Sequence, residues 1–280
     1  MSSSPAKILL FGEYTVINGS KALAIPFDRF QGEWVDRAAP AFDWNPLLRF
    51  LVAHPELEID HERLASDLAR GGGFLSTIPQ GKGLGSSGAL VAALLKKYGP
   101  PNTDEWSLNE VQKRLALLEG YYHGQSSGVD PLVSWVRTPL LIAERGPELV
   151  TWPVQSWAKL ERFFLFDSQV ARHSAPLVAV FKQKCLDPLF AGHMEHLTLL
   201  IDEALDCYEE VNELLLGHVM RSLSELQLRA FKEMIPPPVA ELWQQGLASG
   251  DFALKLCGAG GGGYFIGYRL RNAPSGVLKF

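Results

Sequence analysis

Cysteine is scarce: Cys185, Cys207 and Cys257 are the only three in 280 residues, and no two form a CxxC pair. A sparse, odd count with no pairing pattern excludes a disulfide-stapled scaffold and suggests a reducing compartment. Long apolar runs are missing too. None approaches the roughly 18 residues that a membrane-spanning helix needs, and Ile8–Phe11 near the N-terminus is too short for a signal-peptide core. A cytoplasmic protein is the expectation. Basic stripes are also absent: 26 Lys+Arg stand against 31 Asp+Glu, and the densest basic dipeptide is Lys96-Lys97. That argues against nucleic acid as a partner and leaves any anionic ligand to a few placed groups. What is plentiful is apolar residues, at 47%, in a chain long enough to bury a substantial core without staples.

Glycine is abundant and clustered. Pro79-Gln-Gly-Lys-Gly-Leu-Gly-Ser-Ser-Gly-Ala89 is a dense Gly/Ser loop. It leads into Ala89–Tyr98, an apolar helix with cations in its last turn. Glycines let a backbone turn and approach a ligand, so consecutive N–H groups converge on an anion at a helix start. Ser86 and Ser87 occupy expected N-cap positions. The loop satisfies G-x-G-x-x-G, but Pro79 interrupts the approach and no second strand with an acidic end follows. It is not a Walker A loop, because Gly83 follows Lys82. Gly124-Gln-Ser-Ser-Gly128 fits a nucleophile elbow, but a helix precedes it where an elbow needs a strand. A second run, Gly258-Ala-Gly-Gly-Gly-Gly263, exceeds what a hairpin turn requires and implies close packing against that backbone.

Between these loops the pattern alternates. Lys7–Phe11, Tyr14–Ile17 and Lys21–Ile25 read as strands, with Asn18-Gly19 as the hairpin signal. Asn45–Ala53 and 62–70 read as helices. Ser107-Leu-Asn-Glu110 is a capping box opening a helix with apolar residues at 108, 111, 115, 118 and 122. Thr138–Ala143 and Leu160–Phe166 read as strands, and His193–Ile235 as two or three helices. Pro236–Pro238 breaks that run before a helix over Val239–Ala248, and Phe252–Cys257 and Tyr264–Tyr268 are the last strands. Strands lead and helices dominate later, so the expected class is α+β with two intimate lobes. Taken singly, Glu119 reads as a solvated helix-edge residue and Asp130 as a turn or cap aspartate. Lys7 is unusual inside an apolar strand.

Three segments in order, Lys7–Gly19, Pro79–Ala89 and Lys255–Gly263, resemble the three motifs of the GHMP small-molecule kinases. Among these, the mevalonate kinases share the pattern of Glu119 followed by His123-Gly-Gln-Ser-Ser-Gly-Val-Asp130. Their later Arg-Ser/Thr-Thr segment is similar to Arg172-His173-Ser174. Tyr14 stands where they usually carry His, and Gly-Glu-Tyr with Gly-Ser-Ser-Gly also resembles phosphomevalonate kinases. The resemblance implies an N-terminal lobe over 1–155, resembling a ribosomal protein S5 domain 2-like fold. An α/β-plait lobe is implied over 156–280, without the family's usual final helix and strand. It implies an ATP- and Mg²⁺-dependent kinase acting on the hydroxyl of a small acidic alcohol, mevalonate first. Phosphomevalonate, or a non-catalytic small-molecule-binding regulator, is the alternative. Homodimerisation is left open, and neither nucleic acid nor membrane is a partner.

Carried over by residue, the resemblance makes Asp130 the base and Lys7 the group that positions the hydroxyl and stabilises γ-phosphate charge. Gly81, Lys82, Gly83, Leu84, Gly85, Ser86, Ser87 and Gly88 would cradle the ATP phosphates. Glu119 with Ser86 or Ser87 would hold Mg²⁺. Glu13, Tyr14, Arg172, Ser174, Gly258, Ala259 and Gly260 would meet the acceptor.

Overall fold

Alternation decides the first strand. In β1 (Ser4–Phe11), Ala6, Ile8 and Leu10 are fully buried on one face, and the opposite face carries Lys7 and Leu9. The computed structural model describes residues 3–38, 42–150, 160–171, 174–210 and 212–280. β1 pairs antiparallel with the long β2 (Ala22–Val35), with Lys7 opposite Pro26. β2 also pairs with β3 (Gly73–Ser76) and β4 (Leu140–Ala143), and β4 with β5 (Gly146–Leu149). This sheet is covered by α1 (Asn45–Ala53), α2 (His61–Ala69), α3 (Ser86–Tyr98), α4 (Leu108–His123) and α5 (Val129–Val136). A second antiparallel sheet runs β7 (Phe252–Leu256), β8 (Tyr264–Arg269), β6 (Phe163–Asp167), β9 (Leu278–Lys279). It packs with α6 (Ser174–Lys184), α7 (Pro188–Glu209), α8 (Glu213–Ala230) and α9 (Pro237–Ser249). One core joins the two halves: Ile8, Leu10 and Phe11 of β1 share it with Phe163, Leu165 and Tyr208. The α+β, two-lobed expectation matches this architecture. Among the described residues no helix is long and apolar enough to cross a membrane.

The capping box closes as expected: Glu110 N–H donates to Ser107 Oγ at 3.3 Å, and Ser107 N–H donates to Glu110 Oε2 at 2.8 Å. Other elements differ from expectation. Tyr14–Ile17 is not a strand: Thr15–Asn18 forms a 3₁₀ turn. Gly12 at φ 101° and Tyr14 at φ 63° break the extended path, because β1 has already paired with β2 as far as Phe11 opposite Leu23. Gly19 therefore closes that turn instead of a two-residue hairpin. Helix α3 begins at Ser86 with Gly85 in the left-handed region as its N-cap, so neither serine caps it. Pro237 and Pro238 sit in the first turn of α9, where the missing N–H costs nothing. α6 and β5 had no sequence signal strong enough to place them. A short final strand, β9, does follow Tyr268 and pairs with β6. The lobe boundary at 155/156 lies outside the described residues.

Candidate active site

Lys7 reaches the site because it lies on the face of β1 opposite Ala6, Ile8 and Leu10. Its backbone N–H donates to Leu84 O at 3.0 Å, tying the strand to the Gly/Ser loop. Its ammonium lies 2.8 Å from Asp130 Oδ1 in the first turn of α5. Glycines make that approach feasible. A Cβ on Gly85 would sit 2.8 Å from Lys7 Cγ, and one on Gly88 would sit 2.9 Å from the nitrogen of Pro131. The loop and the first turn of α3 therefore close on β1 and α5 only without side chains at these points.

Glu119 is not a solvated edge residue. It is 5% exposed at the end of α4. Ser87 Oγ donates to its Oε1 at 2.9 Å and Ser126 Oγ to its Oε2 at 2.5 Å. His123 Nε2 lies 3.0 Å from Ser87 Oγ. Since that hydroxyl spends its proton on Glu119, the histidine donates to it. Burial pushes the Glu119 carboxyl above its usual range, and the nearby Asp130 charge adds to the push; Ser126, Ser87 and His123 oppose it. The result is an oxygen-lined cleft of about 350 Å³ between Lys7, the Gly81–Ser87 loop, Glu119 and Asp130. A larger depression of about 750 Å³ lies at the far end of α3, beside Lys96, Lys97 and Trp135. Those cations stand where a helix C-terminus favours positive charge, and no glycine-rich loop at a helix start lines that depression.

Other expected residues sit elsewhere. Lys82 turns its ammonium to Asp167 Oδ1 at 2.7 Å, across to β6. Tyr14 is buried between Phe181 and Phe231 and donates to Ala259 O at 2.8 Å. Glu13 is buried against Lys255. Gly258–Gly263 packs as its composition implied: a Cβ on Gly263 would meet Lys82 O at 2.8 Å, and one on Gly260 would meet Met234 O at 2.5 Å. Amides of this loop are already used, Gly261 N–H donating to Met234 O and Gly263 N–H to Val170 O. Arg172 lies outside the described residues, as does the side chain of Ser174. The sequence motifs do not single out Ser126, His123 or Asp167 as site residues. The first two lie within the His123–Asp130 segment, which was the signal available for them.

A buried lysine on a carboxylate, beside a glycine-rich loop at a helix start and a hydroxyl-ringed glutamate, is the equipment of a small-molecule phosphotransferase. The model of the GHMP kinases N terminal domain matches residues 58–136. A mevalonate kinase of Archaeoglobus fulgidus is 26% identical over 99% of this chain and 94% of its own length. The mevalonate kinase structure from Methanococcus jannaschii superposes with a TM-score of 0.68 at 19% identity, covering 97% of this chain and 90% of that one. Streptococcus pneumoniae phosphomevalonate kinase, solved with phosphomevalonate and AMPPNP, gives 0.63 at 18% identity, covering 96% and 92%. The chain is similar to the GHMP kinases in sequence over that segment and in fold throughout. It is a phosphotransferase that uses ATP and an alcohol acceptor.

Proposed function

We propose that this chain transfers the γ-phosphoryl group of ATP to the hydroxyl of mevalonate. The observation that carries the reading is the 2.8 Å contact of Lys7 with Asp130 at the floor of the glycine-loop cleft. Asp130 accepts the hydroxyl proton, and Lys7 orients that oxygen and offsets charge on the transferred group. Amides of Gly81–Gly88 at the start of α3 hold the phosphates. The donor set of Glu119 and Ser87 is all oxygen and suits Mg²⁺, which takes one or two protein ligands and leaves the rest to phosphate and water. A carboxylate strained by burial beside Asp130 gains from a cation there. When bound, Mg²⁺ supplies neutralisation of phosphate charge. Ser87 is preferred to Ser86 because its hydroxyl is the one on Glu119.

Residues 1–155 and 156–280 are read as the two lobes, with Glu13, Tyr14 and Gly258–Gly260 shaping the acceptor side from behind the cleft. Lys82, already paired with Asp167, is not a free cation for a second phosphate, which favours mevalonate over phosphomevalonate. A sparse, odd cysteine count with no CxxC pair supports a reducing, cytoplasmic setting. The test is ADP release from Mg²⁺-ATP with mevalonate, phosphomevalonate, homoserine and galactose side by side. Turnover with mevalonate alone is expected; turnover only with phosphomevalonate, or with none of the four, refutes the assignment.

A further inference from the structure

The depression of about 750 Å³ at the far end of α3 has no part in the reaction proposed above. It is larger than the cleft and lies the length of the helix away from it, about 20 Å for 13 residues. Its charges are unevenly matched. Of its two carboxylates, Glu58 is taken by Arg114 at 3.3 Å, and Asp60 accepts the backbone N–H of Arg63 at 2.9 Å as the N-cap of α2. Of its three cations, Lys97 pairs with Asp67 at 3.4 Å. Lys96 and Arg63 have no carboxylate partner among the described residues; each lies over an aromatic ring instead. The Lys96 ammonium is 5.3 Å from the centre of the Trp135 ring, and the Arg63 guanidinium 5.6 Å from that of Tyr98. Such a ring contact is worth about 0.5–1 kcal/mol at an exposed site and does not replace a counter-charge.

Lys96 is the less comfortable of the two. It is half-buried, and charges that lose water are ordinarily paired. Burial, with the Arg137 charge added, pushes its ammonium down to about 8. The helix end opposes an anion less than a bare C-terminus would. Leu95 O accepts the Gly99 N–H at 2.8 Å, and Tyr98 O accepts the Asp60 N–H at 2.7 Å. Trp135, Tyr98 and the Pro100-Pro101 pair supply an apolar wall beside the two cations. The volume falls in the range of sites that hold small organic ligands. Two uncompensated positive charges match a phosphate monoester, which carries about −1.5 to −2 at neutral pH, better than they match a carboxylate.

We propose that this depression is a second ligand site, which binds a small organic phosphate with its anionic group on Lys96 and Arg63 and its organic part against Trp135. The site is separate from the cleft, so it fills alongside the nucleotide and stands whichever acceptor the cleft takes.

The test is calorimetric titration of phenyl phosphate into the full chain saturated with Mg²⁺-ADP, which occupies the glycine-loop cleft. One equivalent should bind. Inorganic phosphate, which lacks the ring, and benzoate, which carries a single charge, should each bind at least about fivefold more weakly. Lys96→Met and Arg63→Gln should each weaken phenyl phosphate about tenfold or more, the loss of one charge-assisted contact. Affinity for Mg²⁺-ADP should stay within about twofold in both. Arg63 is exposed, so Arg63→Gln carries the test even where Lys96→Met lowers Tm. Asp130→Asn, in the cleft, should leave phenyl phosphate binding within about twofold; a larger change would place the probe beside Lys7 and overturn the inference. No binding up to about 10 mM, or binding that both cation variants retain, would overturn it as well. Inorganic phosphate bound as tightly as phenyl phosphate would overturn the assignment of an organic ligand.

Discussion

Gly85→Ala isolates the contact on which the site geometry depends. Gly85 has φ 72°, where a Cβ costs roughly 1–2 kcal/mol of backbone strain. Its Cβ would lie 2.8 Å from Lys7 Cγ and 3.3 Å from Cε, where ordinary contacts begin at 3.4 Å. The shortfall at Cγ is therefore 0.6 Å, and it falls on the stem of Lys7 instead of its mobile tip. Strand and loop cannot separate to relieve it, because Lys7 N–H is bonded to Leu84 O. The displacement passes to the ammonium and its contact with Asp130. Misplacing a reacting group by about 1 Å can cost on the order of 10²-fold in rate, whereas the strain should lower Tm by only a few degrees, roughly 2–8 °C. Gly71→Ala is the control: φ is 91° with nothing within 4 Å, so it carries comparable strain remote from the cleft. Thermal melts and steady-state ADP release on both variants decide the matter. Gly85→Ala with kcat within about threefold of the parent, at the expected Tm, refutes the packing argument.

Asp130→Ala should lower kcat by about 10²–10⁴-fold while ATP binding, measured by titration, stays within a few-fold; near-normal turnover removes Asp130 as the base. Glu119→Gln should raise the Mg²⁺ concentration needed for half-maximal turnover, and an unchanged Mg²⁺ dependence counts against Glu119 as a ligand. The same variant carries a pH signature. Burial and Asp130 raise Glu119 in the folded chain, so its contribution to stability is present below the unfolded carboxylate range and is lost as pH rises through the folded value. The stability of Glu119→Gln relative to the parent, from urea midpoints, should thus be greater at about pH 8 than at about pH 4; a pH-independent difference refutes the assignment. Asp167→Asn frees Lys82 for the phosphates. It should lower KM for ATP by about fivefold, the equivalent of about 1 kcal/mol for releasing this part-buried pair; a higher KM would make the pair a support of the loop.

Local chemistry was readable in the chain by itself. The capping box of α4, the helix after the Gly/Ser loop and the strands flanking Gly258–Gly263 depend on neighbours within a few residues, and all are present. Where pairing is not local, composition misleads. Tyr14–Ile17 has the composition of a strand, but β2 is already occupied by β1 and the tyrosine ring is drawn between Phe181 and Phe231. The site divides in the same way. Lys7, Glu119 and Asp130 were picked out by motif, but sequence treats a helix-edge glutamate as solvated. Only the packing of α3, α4 and the 124–128 turn buries Glu119 under two serine hydroxyls. Glu13 and Lys255 are 242 positions apart. Composition and spacing govern which segments turn, coil or extend, because those energies are local. Which charges meet, and which lose their water, depends on how distant segments pack, and the folded chain alone decides that.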